Sequence, residues 1–555
     1  MAEFLRQLGY NPPFFWAVFG GAFLLWIAAA ALPHEPAGRP LLRFNTPVFF
    51  STMLLVVMFA GRWPGIFLYR PVNPDEPQFL AGAITMLARG EIWWTDPTTS
   101  GPLVVPPLSL PGLACLPINY SSGRVVALLL NWGVVILTYL ALRHVHGDRK
   151  ARVLVLPLAC FMVCLIFWDF VPYCSECSPV FLCALAIWLC LTAFQSDGML
   201  CNRGRLTGGG LVLGLLPFSK LQILPLGAAI GLSAVAWVLR QPPAGRKNIR
   251  RDLGWLLAGA GAGFALMLLS LWHSGSMKEV YASYLVNNLD YAQDRAMPWA
   301  SSGYVLRYLT EFSWGFSSFH YGLLLLLAIS LGGLRTAAWR PLLLGWSLLI
   351  GAYYALLAPG RLYPHYLLFL SLPLPLLVGL QFGYLIRSVS HARRLCAVLW
   401  LLFLSAGVGA QVIDRVSDRQ ALGKLVPAGS PRASIVGFIN LAKRPGDTLA
   451  VWGRRPEFYV ETQLPQATRE AHTAGQLNDG PQRDYFRARF LADMHASQPA
   501  FFIDAVGPDD YIYHVPAWNG HETFPALKDY IGQEYSMVSK GTSFRVYVRR
   551  ALMSK

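Results

Sequence analysis

Asn73-Pro74-Asp75-Glu76-Pro77-Gln78-Phe79 follows directly on an apolar run over 47–68. Two adjacent carboxylates at the end of such a run are costly to desolvate. They need partners: a cation, an arginine or a bound metal. One of them is also suited to take a proton from an attacking hydroxyl. The stretch therefore reads as the end of a membrane span followed by a polar, chemistry-bearing loop. It points to an enzyme acting on a polar group at a membrane surface.

The rest of the chain supports the span. Of its 555 residues 54% are hydrophobic and only 14% charged, and mean hydropathy is +0.42. A soluble chain carries nearer a quarter charged residues. Apolar segments lie at 13–32, 47–68, 123–142, 153–170, 178–194, 207–219, 222–239, 253–272, 319–334, 341–357, 365–386 and 395–413, with the long run at 207–239 divided at Lys220. Several approach the ~20 residues that cross a bilayer, so the expectation is a polytopic α-helical membrane protein of about twelve spans. The first segment lacks the basic leader and small-residue cleavage site of a signal peptide.

Net charge is +16, from 46 Lys+Arg against 30 Asp+Glu. In a soluble protein that excess would suggest nucleic acid. Here it gathers in short loops: Arg143 to Arg152, Arg203 and Arg205, Arg240 to Arg251, Arg335 and Arg340, and Arg387 to Arg394. Alternating spans put all five loops on one face, which the positive-inside rule makes cytoplasmic. No nucleic-acid partner is expected. The opposite, extracytoplasmic face then holds Asp75-Glu76, the loop at 273–318, Arg361 to Tyr366, and everything after about 415. The setting is an integral membrane protein, with a bacterial inner membrane expected.

Past residue 414 the chain becomes polar. Strand-like runs appear at Thr448–Trp452, Phe458–Glu461, Ala500–Asp504 and Phe544–Val548, with helical patterns at 432–443 and 483–495. Strands alternating with helices predict a small α/β domain over 415–555, joined to a transmembrane domain over 1–414. Cys174 and Cys177 sit close together on the outer side, where an oxidising compartment would allow a disulfide. Zinc there would need two further ligands that the neighbourhood does not supply.

After Glu76, Phe79 to Arg89 reads as an amphipathic helix with Phe79, Ala83, Met86 and Leu87 on one side. Trp93 and Trp94 suit a membrane interface. The prolines of Gly101-Pro102-Leu103-Val104-Val105-Pro106-Pro107-Leu108 argue for an irregular segment. Three further elements are candidates to join the carboxylates. Lys220 lies between apolar segments with no acidic neighbour in sequence, and simple snorkelling is the bland alternative. Arg361, in Pro359-Gly360-Arg361-Leu362-Tyr363-Pro364-His365-Tyr366, opens a late segment. Cations so placed suit a phosphate or lipid-linked pyrophosphate. His365 alone reads equally as a structural histidine. Tyr284 and Asn287, in the long outer loop, are groups that bind sugar hydroxyls, though ordinary loops use them too.

Taken in order, these elements are an outer Asp-Glu loop, an interfacial helix, a proline-rich turn, a mid-chain lysine, and Arg-Leu-Tyr-Pro-His-Tyr before Pro373 and Pro375. The series resembles the glycosyltransferase C (GT-C) superfamily over most of 45–415, especially bacterial protein O-mannosyltransferases and lipid A aminoarabinose transferases. The resemblance implies a GT-C-like fold and transfer of a sugar from a polyprenyl-phosphate donor to a lipid, glycan or protein acceptor on the extracytoplasmic face. On that basis Asp75 matches the catalytic aspartate, the general base, and Glu76 its supporting acid. Lys220 and Arg361 match cations toward the donor phosphate, and Tyr363, His365 and Tyr366 join Tyr284 and Asn287 as substrate-binding candidates.

One departure stands out. The aminoarabinose transferases carry Glu-Lys-Pro where this chain has Val104-Val105-Pro106, and the mannosyltransferases His-Pro-Pro where it has Val105-Pro106-Pro107. A candidate metal ligand and a phosphate contact are thereby missing. A divalent cation remains the one cofactor considered, with its ligands unassigned. Two other classes stay open: a membrane polysaccharide ligase or polymerase, and a lipid-linked sugar flippase or transporter. Charge at the outer ends of nearly charge-free spans speaks against transport.

Overall fold

A computed structural model of the chain describes residues 2–31, 46–95, 100–164, 170–194, 201–241, 248–294, 299–331, 338–388, 409 and 430–553. The apolar segment expected at 395–413, and the loop basic residues Arg246, Lys247, Arg335, Arg393 and Arg394, fall almost wholly outside them. The chain divides into two compact units. The first comprises Met1–Leu68, Ala127–Ser270 and Ala292–Gly423; the second comprises Tyr69–Val126, Leu271–Tyr291 and Lys424–Lys555.

The protein is an integral membrane protein by the length and composition of its helices. Among the described residues seven helices qualify as spans: Pro13–Ala30, Pro47–Ile66, Tyr120–His146, Leu221–Leu239, Ile249–His273, Trp339–Leu357 and Pro364–Ile386. The pair Trp299–Thr310 and Trp314–Ser330, bent by 117°, would make an eighth. The expected segment at 178–194 is a shorter apolar helix, Cys177–Thr192. That at 207–219 is a helix over Arg203–Leu215 continued by a 3-10 turn.

Local chemistry explains these elements. Thr46 caps Pro47–Ile66 by accepting from the Phe49 amide, and Pro47 stands at the first turn, where a missing N–H costs nothing. Arg62, inside that helix, is buried and donates to the carbonyls of Met162 (2.9 Å) and Phe170 (3.2 Å). A guanidinium with several donors is one of the few charged groups that such a place can satisfy. Helix Arg203–Leu215 and span Ile249–His273 meet through glycines spaced four apart. A Cβ on Gly210 would lie 2.2 Å from the Leu256 carbonyl, and one on Gly263 2.2 Å from that of Leu211. Only the absence of a side chain lets two backbones approach so closely.

In the second unit a four-stranded sheet runs β1 (Leu449–Trp452), β2 (Phe501–Asp504), β4 (Arg545–Arg549), β3 (Tyr535–Lys540), with β1 and β2 parallel and the other pairs antiparallel. Side-chain alternation splits the sheet into two apolar faces. Leu449, Val451, Phe501, Ile503, Val546 and Val548 pack with Ile439, Phe458 and Ala81. Ala450, Trp452 and Phe502 pack with Phe490, Met494, Leu527 and Ile531 on the other side. The expected α/β region is therefore present, as are helices Pro431–Ala442 and Arg483–Ser497. One expectation is corrected: Phe458–Glu461 is not a strand but part of helix Glu457–Thr462. Phe458 and Tyr459, adjacent in sequence, are both buried, which a helix on a sheet face allows and a half-buried strand does not. Strand β3 was not expected; its solvent-facing run Ser536–Lys540 carries no apolar alternation to read.

Candidate functional site

Helix Glu76–Arg89 presents the two carboxylates. Pro77 suits its first turn, and Gly90 ends it in the left-handed conformation at φ 71°. Phe79, Leu80, Ala83, Ile84 and Met86 are buried, whereas Leu87 is exposed, so the buried face is rotated from the expected one. Thr85 ties the helix to the sheet region: its Oγ1 donates to Ala81 O at 2.8 Å and accepts from the Gln466 amide at 2.9 Å. Asp75 and Glu76 thus stand at a helix N-terminus, where negative charge is favoured.

Their surroundings differ. Glu76 is 2% exposed. Arg124 grips it with both arms, Nε to Oε1 at 2.7 Å and Nη2 to Oε2 at 2.8 Å, while Nη2 also donates to the Arg70 carbonyl. The Val72 amide adds a bond to Oε2 at 3.2 Å. Asp75 is on the open side, with 35% of its side chain exposed, and its Oδ1 accepts from Arg454 Nη2 at 2.6 Å. The Asp75 amide is held by Asn73 Oδ1 at 2.7 Å. Beside this pair, His472 Nε2 meets Gln78 Oε1 at 2.9 Å, and burial pushes the imidazole down to about 3, so it is neutral at physiological pH. A small cavity of about 30 Å³ adjoins, lined among others by Gln78, Thr95, Gln466, Arg469, Glu470 and His472.

The candidate cations Lys220 and Arg361 belong to the first unit. Lys220 is 8% exposed and turned inward, which removes the snorkelling alternative. It has an acidic partner after all: Nζ pairs with Glu176 and donates to Ser175 Oγ at 2.8 Å, and it stands 4.9 Å from the centre of the Tyr366 ring. Burial pushes the Glu176 carboxyl up, but Lys220 and His365 outweigh it and hold the group below the usual carboxylate range. Arg361 is 9% exposed, in the extended stretch after Gly360, whose φ of 57° turns the chain out of the preceding helix. His365 stacks on Tyr363 (5.5 Å between centroids) and meets Tyr366 edge-on (5.1 Å). The structure thus gathers Lys220, Glu176, His365 and Tyr366 into one cluster.

Tyr284 and Asn287 lie in the second unit. Tyr284 is buried within a π-helical stretch, Val280–Val286, and Asn287 is half-buried at its end. Cys174 and Cys177 are free thiols with sulfurs 3.4 Å apart.

Asp504, His521 and Glu522 are of the donor types that bind divalent cations, each with one ligand atom within 4.8 Å of the others; they are the one such group among the described residues. Arg545, however, ion-pairs with both Asp504 and Glu522. A guanidinium bonded to two of the three ligands competes for them with any cation, so the group fits an ion-pair knot better than a metal centre.

Sequence reasoning missed Arg124, Arg454 and Glu176. Arg124 had a signal, as a lone charge at the start of an apolar segment. Arg454 stands just past a strand-like run, where open α/β sheets place functional groups. Glu176 was in view between the two cysteines, but nothing local linked it to Lys220.

No protein-family model matches the chain, and no curated protein matches it by sequence. Solved structures do. ArnT from Cupriavidus metallidurans bound to undecaprenyl phosphate superposes with a TM-score of 0.56 at 13% identity, over 90% of this chain and 98% of that one. The apo state of ArnT gives 0.52 at 15% identity, over 91% and 99%. An oligosaccharyltransferase from Archaeoglobus fulgidus aligns at 0.44 with 11% identity, over 91% of this chain and 73% of that one. The chain has the fold of the two ArnT structures.

Proposed function

We propose that the protein is an integral membrane glycosyltransferase that moves a sugar from a polyprenyl-phosphate donor to an envelope lipid, glycan or protein, on the extracytoplasmic face of a bacterial inner membrane. The observation that carries this reading is Asp75: a partly open, arginine-paired carboxylate at a helix N-terminus, in a chain whose fold is shared with an ArnT structure bound to undecaprenyl phosphate.

In the proposed reaction the acceptor hydroxyl oxygen bonds to the anomeric carbon of the sugar. The bond from that carbon to the phosphate oxygen breaks, and its electron pair leaves with the lipid phosphate. The hydroxyl proton passes to Asp75. A carboxylate has about four lone-pair sites, so accepting from Arg454 leaves capacity for a hydroxyl. Glu76, sealed by Arg124, acts as the anchor that fixes the helix start. Arg361 and Lys220 serve the departing phosphate, because fixed cations stabilise charge as it develops. Tyr363, His365 and Tyr366 shape the donor side, with Tyr284 and Asn287 as further substrate-side residues.

The test is transfer by purified protein in nanodiscs from a panel of polyprenyl-phosphate sugars, with membrane extract as acceptor. Radiolabel should move to a product with the wild type and not with Asp75→Asn. Equal transfer by both, or none from any donor, overturns the reading. Reporter fusions after Arg152, Arg205 and Arg251 should read cytoplasmic and one after Asp290 outside; the reverse overturns the placement.

A further inference from the structure

Among the described residues two arginines engage the Asp-Glu pair, Arg124 in a sealed contact and Arg454 in an open one. Arg124 and Glu76 have side chains 0% and 1% exposed, whereas Arg454 and Asp75 are 24% and 35% exposed. The first pair lies where no substrate can reach. The second is open to solvent and to anything that binds beside the small cavity.

Arg454 is also held with unusual care for a partly exposed residue. Strand β1 ends at Trp452, and Gly453 turns the chain at φ 113°, in the region that favours glycine. A Cβ there would stand 2.8 Å from Asp510 Oδ2. The Gly453 amide donates to Thr473 Oγ1 at 2.7 Å and the Arg454 amide to Asp510 Oδ2 at 2.6 Å. Asp510 is itself fixed, its Oδ1 accepting from the amides of Ile512 and Tyr513 at 2.8 Å each. The backbone of Arg454 is thus clamped at the carboxyl end of the parallel pair β1–β2, and its side chain ends on the proposed base. A surface ion pair formed by chance would not need such a mount, because exposed pairs contribute little to stability.

We infer that Arg454 is a positioning residue for Asp75: from the C-terminal segment it fixes the direction of the reactive carboxylate and keeps it ionised. The inference rests on the reading of Asp75 as the base. It assigns the C-terminal segment a part in the chemistry. Among the described residues, the charged and titratable groups beside Asp75 include Arg454, the adjoining Glu76, and His472, whose proton equilibrium feels both Asp75 and Arg454. His472 is neutral and Glu76 is neutralised by Arg124. Arg454, whose Nη2 lies 2.6 Å from Asp75 Oδ1, is the cation in direct contact whose charge favours the ionised form of Asp75. A neighbouring guanidinium favours the charged form of a carboxylate, so its loss moves the ionisation to higher pH.

The experiment compares wild type, Arg454→Ala, Arg454→Gln and Arg454→Lys across pH. With the neutral variants the acid limb of kcat/KM should move up by about one pH unit. Their kcat should fall about tenfold, while KM for the lipid donor stays within about twofold. Lysine should restore the acid limb but not the full rate, since a point charge cannot reproduce the guanidinium's direction. An unmoved acid limb in the alanine and glutamine variants overturns the inference, even if their rate falls. A readout independent of turnover is infrared difference titration, wild type minus Asp75→Asn, which follows the Asp75 carboxylate itself. Its midpoint should rise by about one unit when Arg454 is neutralised. A wild type without transfer activity but with this shift would sink the glycosyltransferase reading alone; active protein without the shift would sink the role of Arg454 alone.

Discussion

The first unit and the second both hold a carboxylate against a cation, to opposite ends. Glu176 and Lys220 have side chains 0% and 9% exposed, and serine and tyrosine crowd the cation. Asp75 and Arg454 make a pair of similar chemistry that stays open at 35% and 24%. Burial decides what each can do. Once two charges have left water, each holds the other in place, and removing one strands its partner. An open pair is weak as a structural element, but its members can exchange partners with a substrate. The Glu76–Arg124 pair, in the second unit, behaves as the buried kind. Under the proposed function, adjacent residues in one loop therefore have different work: Glu76 holds and Asp75 reacts.

The largest expected effect breaks or upholds that division directly. Asp75→Asn should lower transfer by ~10²–10⁴ and leave the melting temperature of the detergent-solubilised protein nearly unchanged. A large loss of stability would place Asp75 with the buried pairs. Glu76→Gln or Arg124→Ala should do the reverse first, costing roughly 3–5 kcal/mol by leaving one charge buried alone. Thermal melts read this, and a wild-type melt for Arg124→Ala would refute the sealed pair.

Lys220 sharpens the comparison, because the proposed reading asks it to serve both structure and phosphate. Lys220→Ala should destabilise the protein by a similar ~3–5 kcal/mol, and the double variant Lys220→Met/Glu176→Gln should recover most of that. If the double variant also binds a polyprenyl-phosphate analogue as tightly as wild type, Lys220 is structural only. Arg361→Ala should weaken that binding about tenfold or more, the worth of a charge-assisted bond, and spare the acceptor. Unchanged binding moves the donor phosphate away from Arg361.

The smallest effect concerns Glu461. Burial raises its carboxyl to about 7, with Arg432 pulling the other way. The folded state then holds a proton that the unfolded state releases from about 4.5 upward. Stability carried by this group is complete below pH 4.5 and is lost as pH rises through about 7. Glu461→Gln should accordingly raise stability at pH 8, by on the order of 1 kcal/mol, and change nothing near pH 4. Melts across that range check the sign; a gain at pH 4 alone would contradict it.

Hydropathy is a local property, so the membrane spans, the Asp-Glu loop, the amphipathic helix after it and the α/β character of the tail were legible residue by residue. Boundaries inside the tail were less so. Phe458–Glu461 has strand-like residues, yet it folds as a helix because both Phe458 and Tyr459 find room against one face of the sheet. Partners were not legible at all. Glu76 and Arg124 are 48 residues apart, Glu176 and Lys220 44, and Asp75 and Arg454 379. No period or spacing encodes such pairings; they exist only once packing has brought the groups together and excluded water from some of them. The sequence by itself determined that this chain lives in a membrane and carries a costly pair of adjacent carboxylates just past one of its spans. Only the tertiary structure decided which carboxylate is sealed and which stays open, because burial belongs to the folded surroundings of a group and not to its place in the chain.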